Sequence, residues 1–193
     1  MAILRKCDNM YEFEELDNVT RKWMLEEFLN EEKSGAPYRS SRLSELGLKI
    51  FPKEMEKAII EGNEESLEKA LMNPDYWNPS ESYKTKNRIR SRIVNPISAA
   101  EFLARTEFTI WFTRGFARRL IEEGETLCKV VRIAPADEPR RECRSHEDKI
   151  YNVIDIYNGH RVRYWPFPGK PDAFSIPMGT NCHHSIRRAP KSQ

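Results

Sequence analysis

The sequence predicts an α+β protein: a helical N-terminal part, then one long helix packed on a small antiparallel sheet with a zinc-knuckle-like closure made of Cys and His. Three observations lead there. Apolar residues repeat at helical spacing over 18–33 and again over 99–123. The period then changes, and 126–133 is a run rich in β-branched residues, as a strand requires. Beyond residue 140 the possible metal ligands of the chain gather: Cys143, His146, His160, Cys182, His183 and His184.

The elements follow in order. Residues 1–16 are polar and not expected to order alone. In 18–33, Trp23 follows Val19 by four, and Leu25, Phe28 and Leu29 continue the face, which Ser34-Gly35-Ala36-Pro37 terminates. Pro52 is expected to open a short helix with Met55, Ala58 and Ile59 inward. Gly62 ends it, and Asn63 caps a partner carrying Leu67, Ala70 and Leu71, which together make a helical hairpin. These elements define a helical region, 1–75. Three Asn-Pro breaks at 73, 78 and 95 then mark 76–97 as a basic linker or arm. The module 98–193 begins with Ser98-Ala99-Ala100-Glu101, the pattern of a capping box. Its helix runs to Glu123 and stops at Gly124. Leu103, Thr106, Ile110, Ala117 and Leu120 form one stripe, and Phe102, Phe108, Trp111, Phe112 and Phe116 broaden it nearly around the helix, so it needs cover on several sides. Strands are expected at 126–133, 149–153 and 185–188, with loop over 164–180.

Composition bounds the function. Of 193 residues, 39% are hydrophobic and 32% charged, with mean hydropathy −0.72, which allows a modest core under much solvated surface. No apolar run is long enough to span a bilayer, and the polar start does not read as a signal peptide, so a cytoplasmic protein without membrane partners is expected. The four cysteines, Cys7, Cys128, Cys143 and Cys182, are too sparse for a secreted disulfide scaffold. Residues 1–75 carry 11 basic and 17 acidic side chains, and 76–193 carry 21 and 13. The basic half either meets an anionic partner or faces the acidic half. Five of the nine residues 84–92 are basic: Lys84, Lys86, Arg88, Arg90 and Arg92. They are the candidate nucleic-acid contacts, or else a solvated arm.

The metal reading rests on spacing. In Cys143-Arg144-Ser145-His146 a two-residue gap lets both side chains grip one ion from a tight turn. Cys182 and His184 supply the second pair, because alternating side chains of an extended segment share a face, while His183 points away. The candidate set is therefore Cys143, His146, Cys182 and His184 around a structural zinc, which small loop-rich modules use to supplement a thin core.

The order of features over 98–193 is similar to another known pattern. Ala104-Arg105-Thr106-Glu107 is followed by Gly115, Glu122-Glu123-Gly124, Val130-Val131-Arg132-Ile133 and Asp137-Glu138-Pro139, then by Cys143, Tyr151 and Pro177-Met178-Gly179-Thr180-Asn181-Cys182-His183-His184. This half of the chain resembles the phage Mu F-like minor head, or head-morphogenesis, family. Arg140 and Gly179 stand where that family often has a Cys and a His, and His146 and His184 are read as their replacements. The resemblance implies a virion-assembly protein without catalytic residues, in the host cytoplasm or the virion, whose partners are portal and capsid proteins, with packaged DNA as an anion for the basic segment.

Enzymatic alternatives are weaker. A metal-dependent nuclease would use His160, His183 or His184, oriented by Asn158 or Asn181, with Trp165 and the 84–92 segment on nucleic acid, but no carboxylate cluster has metal spacing. Catalytic zinc would need Glu142 or Glu147 as its acid. His146-Glu147 is not the His-x-Glu of zinc deaminases, and Gly159, Gly169 and Gly179 are too isolated for a phosphate loop. The aromatic and proline run 164–168 is a possible docking surface, or a loop folded over the metal region.

Overall fold

The computed structural model describes residues 11–85, 88–135, 141–165, 174–180 and 182–190. The chain divides into two compact units, one of 1–27 with 109–193 and one of 28–108. These boundaries differ from the expected 1–75, 76–97 and 98–193. The reason is that two long helices, α1 (Asn18–Lys33) and α4 (Pro96–Glu122), each contribute residues to both units. Among the described residues no helix is long and apolar enough to cross a membrane.

In the unit 28–108, α2 (Glu45–Glu61) and α3 (Glu64–Leu71) form the expected hairpin. Helix α2 starts seven residues before the expected Pro52, because Ser44 caps it by accepting from the Gly47 N–H and Pro52 is carried inside. Asn63 and Ser66 make a reciprocal capping box on α3. Phe51, Met55, Ile59, Leu67 and Leu71 are buried, as are Ala100, Leu103, Ala104 and Phe108 of α4. The Trp77 indole N–H donates to the Leu71 carbonyl at 2.8 Å.

The segment expected as a linker is instead ordered secondary structure. Strands β1 (Ser80–Lys84) and β2 (Ile89–Ile93) pair antiparallel into a two-stranded ribbon. Helix α4 begins two residues before the expected Ser98 cap. Asn95 takes that role, its Oδ1 accepting from the Ser98 N–H at 3.1 Å, with Pro96 in the first turn, where a missing N–H is harmless.

In the other unit, β3 (Leu127–Arg132) is the centre of a three-stranded antiparallel sheet between β4 (Ile150–Asn152) and β5 (His184–Arg188). Register pairs Cys128 with Tyr151 and Arg188, and Arg132 with His184. Beyond β4 the expected strand gives way to a short helix, α6 (Val153–Asn158). The second half of α4 packs on this sheet, as expected: the Thr113 and Ser185 hydroxyls are 2.7 Å apart in the core, beside buried Phe112, Phe116 and Leu120. The helix ends as its sequence predicts, with Gly124 at φ +79° and the Glu125 N–H donating to the Leu120 carbonyl.

Helices α1 and α4 approach closely within this unit. A Cβ on Gly115 would lie 2.6 Å from the Met24 backbone nitrogen. Arg114 donates to Glu27 at 2.8 Å, and the Tyr157 hydroxyl reaches the same carboxylate at 2.7 Å. At the surface, Arg119 bridges Asp17 and Glu123, and Arg188 bridges Glu15 and Glu123.

Hydrogen bonding from the Thr20 backbone N–H, together with Arg119, holds the Asp17 carboxyl below its ordinary range, and hydrogen bonds from Arg119 and Arg188 do the same for Glu123. A carboxyl whose folded pKa is depressed binds fewer protons than in the unfolded chain. Its stabilisation is therefore present above the ordinary carboxylate pKa and lost as pH falls through the folded value. The melting temperature is expected to fall as pH drops below about 4, less so at high salt, where these exposed pairs are screened. Thermal melts across pH at two salt concentrations check this, and a flat profile would contradict it.

Candidate metal centre

The centre lies where β3 ends and β5 begins. Cys143 is carried by a one-turn helix, α5 (Arg141–Arg144). The chain then turns through Asp148, at φ +62°, and rejoins the sheet as the Val130 N–H donates to the Lys149 carbonyl at 2.9 Å. Cys182 precedes β5 by two residues and His184 opens it. The expected alternation holds: His184 shares the face of Cys182, while the His183 Nδ1 meets the Pro135 carbonyl oxygen at 2.6 Å and its ring meets Tyr11 edge-on.

Cys143, Cys182 and His184 are buried, and their donor atoms all lie within 4.8 Å of one another, close enough to hold one metal ion. The two Sγ atoms are 3.9 Å apart, and Cys182 Sγ is 3.7 Å from His184 Nδ1. Tetrahedral zinc with ordinary bond lengths would set these edges at about 3.8 and about 3.6 Å. These two edges therefore need little adjustment to accept such an ion.

The surroundings supply what metal ligands require. With Nδ1 toward the sulfurs, the other ring nitrogen of His184 is buried without a hydrogen-bond partner and lies 3.8 Å from Glu147 Oε2. That is the side on which a metal-bound imidazole presents its N–H to a carboxylate. Glu147 is held there by Arg132, at 2.8 and 3.2 Å, and this pairing keeps its carboxyl below the ordinary range. Burial first, then the nearby Arg132, lower the His184 pKa and favour the neutral imidazole that a metal needs. The neighbouring Cys143 thiol, and then burial, push the Cys182 thiol well above its usual pKa. The backbone amides of Met178 and His184 act the other way, favouring the thiolate. A bound cation would oppose the first two effects and favour the thiolate.

His146 does not join the group, contrary to the expectation from the two-residue gap. Its Nδ1 is 2.5 Å from the Tyr151 hydroxyl and its ring packs on Phe174 with centroids 4.7 Å apart. The α5 turn brings Cys143 inward, and residue 146, in the following turn, meets Tyr151 of β4. Among the described residues no fourth His, Cys, Asp or Glu has a donor atom within 4.8 Å of all three. His146→Ala is therefore expected to keep the metal, and His184→Ala to lose it. Metal content after dialysis distinguishes them, and loss in both variants would restore His146 to the set.

Other expected residues are accounted for separately. Cys128 is a packed thiol whose pKa burial pushes up to about 12, with its S–H toward the Tyr151 carbonyl. The His160 ring packs on Trp111 with centroids 5.1 Å apart. Lys84, Arg88, Arg90 and Arg92 are exposed on the ribbon. Cys7, Lys86, Asn181 and residues 166–168 lie outside the described residues, as does the Glu142 side chain. Sequence reasoning did not assign Arg132 or the Met178 N–H, since neither residue type signals a metal by itself. No family model, curated protein or solved structure matches the chain.

Proposed function

We propose that this chain is a non-catalytic assembly protein of the phage minor head kind, stapled by a structural zinc on Cys143, Cys182 and His184. The observation that carries the zinc is the meeting of two thiols and an imidazole, 39 and 2 residues apart, at the edges of one tetrahedron. A donor set of two sulfurs and one nitrogen suits zinc better than magnesium or calcium, which take oxygen.

A structural role fits better than a catalytic one. All three ligands are buried. Glu147, the nearest acid to His184, is committed to Arg132 and has its pKa lowered, the opposite of what a general base at neutral pH needs. Of the histidines a nuclease would use, His160 and His183 are engaged with Trp111 and with the Pro135 carbonyl, and His184 is in the proposed metal set. The order of motifs over 98–193 supports the head-protein reading, with portal and capsid proteins as partners.

Elemental mass spectrometry of protein purified without chelator is expected to find about one zinc per chain. Plasmid incubated with the protein and magnesium, manganese or zinc is expected to stay intact, and portal protein from the same genome to be captured. Metal-free protein would remove the staple. Cleavage abolished by His160→Ala or His184→Ala would replace the assembly reading with a nuclease.

A further inference from the structure

We propose that the β1–β2 ribbon is an arm that grips duplex DNA through Lys84, Arg88 and Arg90. This goes beyond the assembly reading and does not depend on the metal.

The ribbon is held at its base and exposed along its length. At the base the Val94 N–H donates to the Pro79 carbonyl at 3.0 Å, and the Asn78 side-chain amide donates to the carbonyls of Ser41 and Leu43 at 3.2 and 2.9 Å. Arg42 reaches Glu81 at 2.9 Å. At the far end the Thr85 N–H and hydroxyl both donate to the Arg88 carbonyl, at 2.8 and 2.9 Å. All five residues of β2 are exposed, and so are all of β1 but Glu81. An isolated two-stranded ribbon gains little from folding in this form, so its order without cover points to use as a tool.

Its cations outnumber the carboxylates near them. Many arginines elsewhere are matched to carboxylates, among them Arg39 to Glu32, Arg42 to Glu81, Arg114 to Glu27, Arg119 to Asp17, Arg132 to Glu147 and Arg188 to Glu15. On the ribbon, Arg92 pairs with Glu81 and lies over Tyr83, whereas Lys84, Arg88 and Arg90 have no carboxylate partner among the described residues. Glu81, the one acid of the two strands, is already taken twice. Three cations without a described carboxylate partner on a narrow support are complementary to a polyanion.

The shape selects the duplex. Two strands about 4.8 Å apart, with their side chains, fit a major groove about 12 Å wide. Register puts Lys84 with Ile89 and Ser80 with Ile93 on one face, with the Ser82–Ser91 pair between, and Tyr83 with Arg90 on the other. The exposed isoleucines can lie against sugars and thymine methyls while both faces direct cations to the phosphate walls. A protein partner would favour a continuous apolar face, which the two serines interrupt.

The test is fluorescence anisotropy of the full chain with a labelled DNA duplex, for wild type and Lys84→Gln/Arg88→Gln/Arg90→Gln, each checked for an unchanged thermal melt. These side chains are exposed, so the fold is expected to survive. Three phosphate contacts predict that wild-type affinity falls about 40-fold more steeply than the variant's between 50 and 200 mM salt. The variant is also expected to bind at least about tenfold more weakly at low salt. Equal binding and equal salt slopes, or no binding by wild type, would overturn the proposal. So would self-association by sedimentation, abolished in Ile89→Ser/Ile93→Ser without any DNA binding, which would assign the ribbon to a second copy.

Discussion

Cys143→Ser/Cys182→Ser is expected to abolish metal binding and to unfold much of the unit that contains the sheet. The two sulfurs are two of the three donor atoms of the proposed zinc site, and a serine oxygen does not replace a thiolate there. Structural zinc contributes on the order of 10 kcal/mol of apparent binding energy in small modules, comparable to the whole stability of a typical domain. The substitutions themselves are small. Without metal, exchanging buried thiols for hydroxyls costs only about 1–3 kcal/mol each. The two contributions are therefore separable by experiment. Calorimetry of wild type, wild type after a strong zinc chelator, and the double variant should show the last two both far below the first, with the double variant lower than chelated wild type by the smaller cost of the substitutions. A double variant that keeps wild-type stability and metal content would remove the staple from this fold.

Gly115→Ala is expected to destabilise the same unit by about 2 kcal/mol, although alanine is the better helix former by about 1 kcal/mol. The added Cβ would meet Met24 backbone atoms, nitrogen at 2.6 Å and Cα at 2.7 Å. Backbone cannot rotate aside as a side chain does, so α1 and α4 must separate, with loss of the packing around buried Met24 and Phe116. Gly124→Ala is the control: its Cβ would meet nothing within 4 Å, and its cost comes only from φ +79°, roughly 1 kcal/mol. Urea midpoints of the two variants test the ranking. An unaffected Gly115→Ala would mean that the helices do not cross where the structure places them.

Local signals were legible in the residues. Asn18–Lys33 as a helix, the Gly62-Asn63 break, the stop at Gly124 and a last strand before residue 189 all depend on capping, backbone freedom and apolar period, which act over a few neighbours. Alternation along an extended segment was enough to place His184 with Cys182 and His183 apart. The convergence of Cys143 with that pair was readable as a possibility, because few other residue types share that chemistry.

What the sequence by itself determined, then, is the two long helices, the α2–α3 hairpin, the strands of the sheet and three candidate metal donors, since each follows from short-range sterics or from side-chain chemistry; the short helices α5 and α6 were not among them. Tertiary structure alone decided the rest. His146 is drawn to Tyr151 rather than to the Cys143, Cys182 and His184 group because the α5 turn and the β3–β4 register fix where residue 146 can reach. Glu147 comes to lie beside His184 because Arg132, which holds it, stands opposite His184 in the sheet. The 80–93 segment is a ribbon rather than a linker because pairing Tyr83 with Arg90 and Glu81 with Arg92 satisfies backbone groups that composition alone would leave to water.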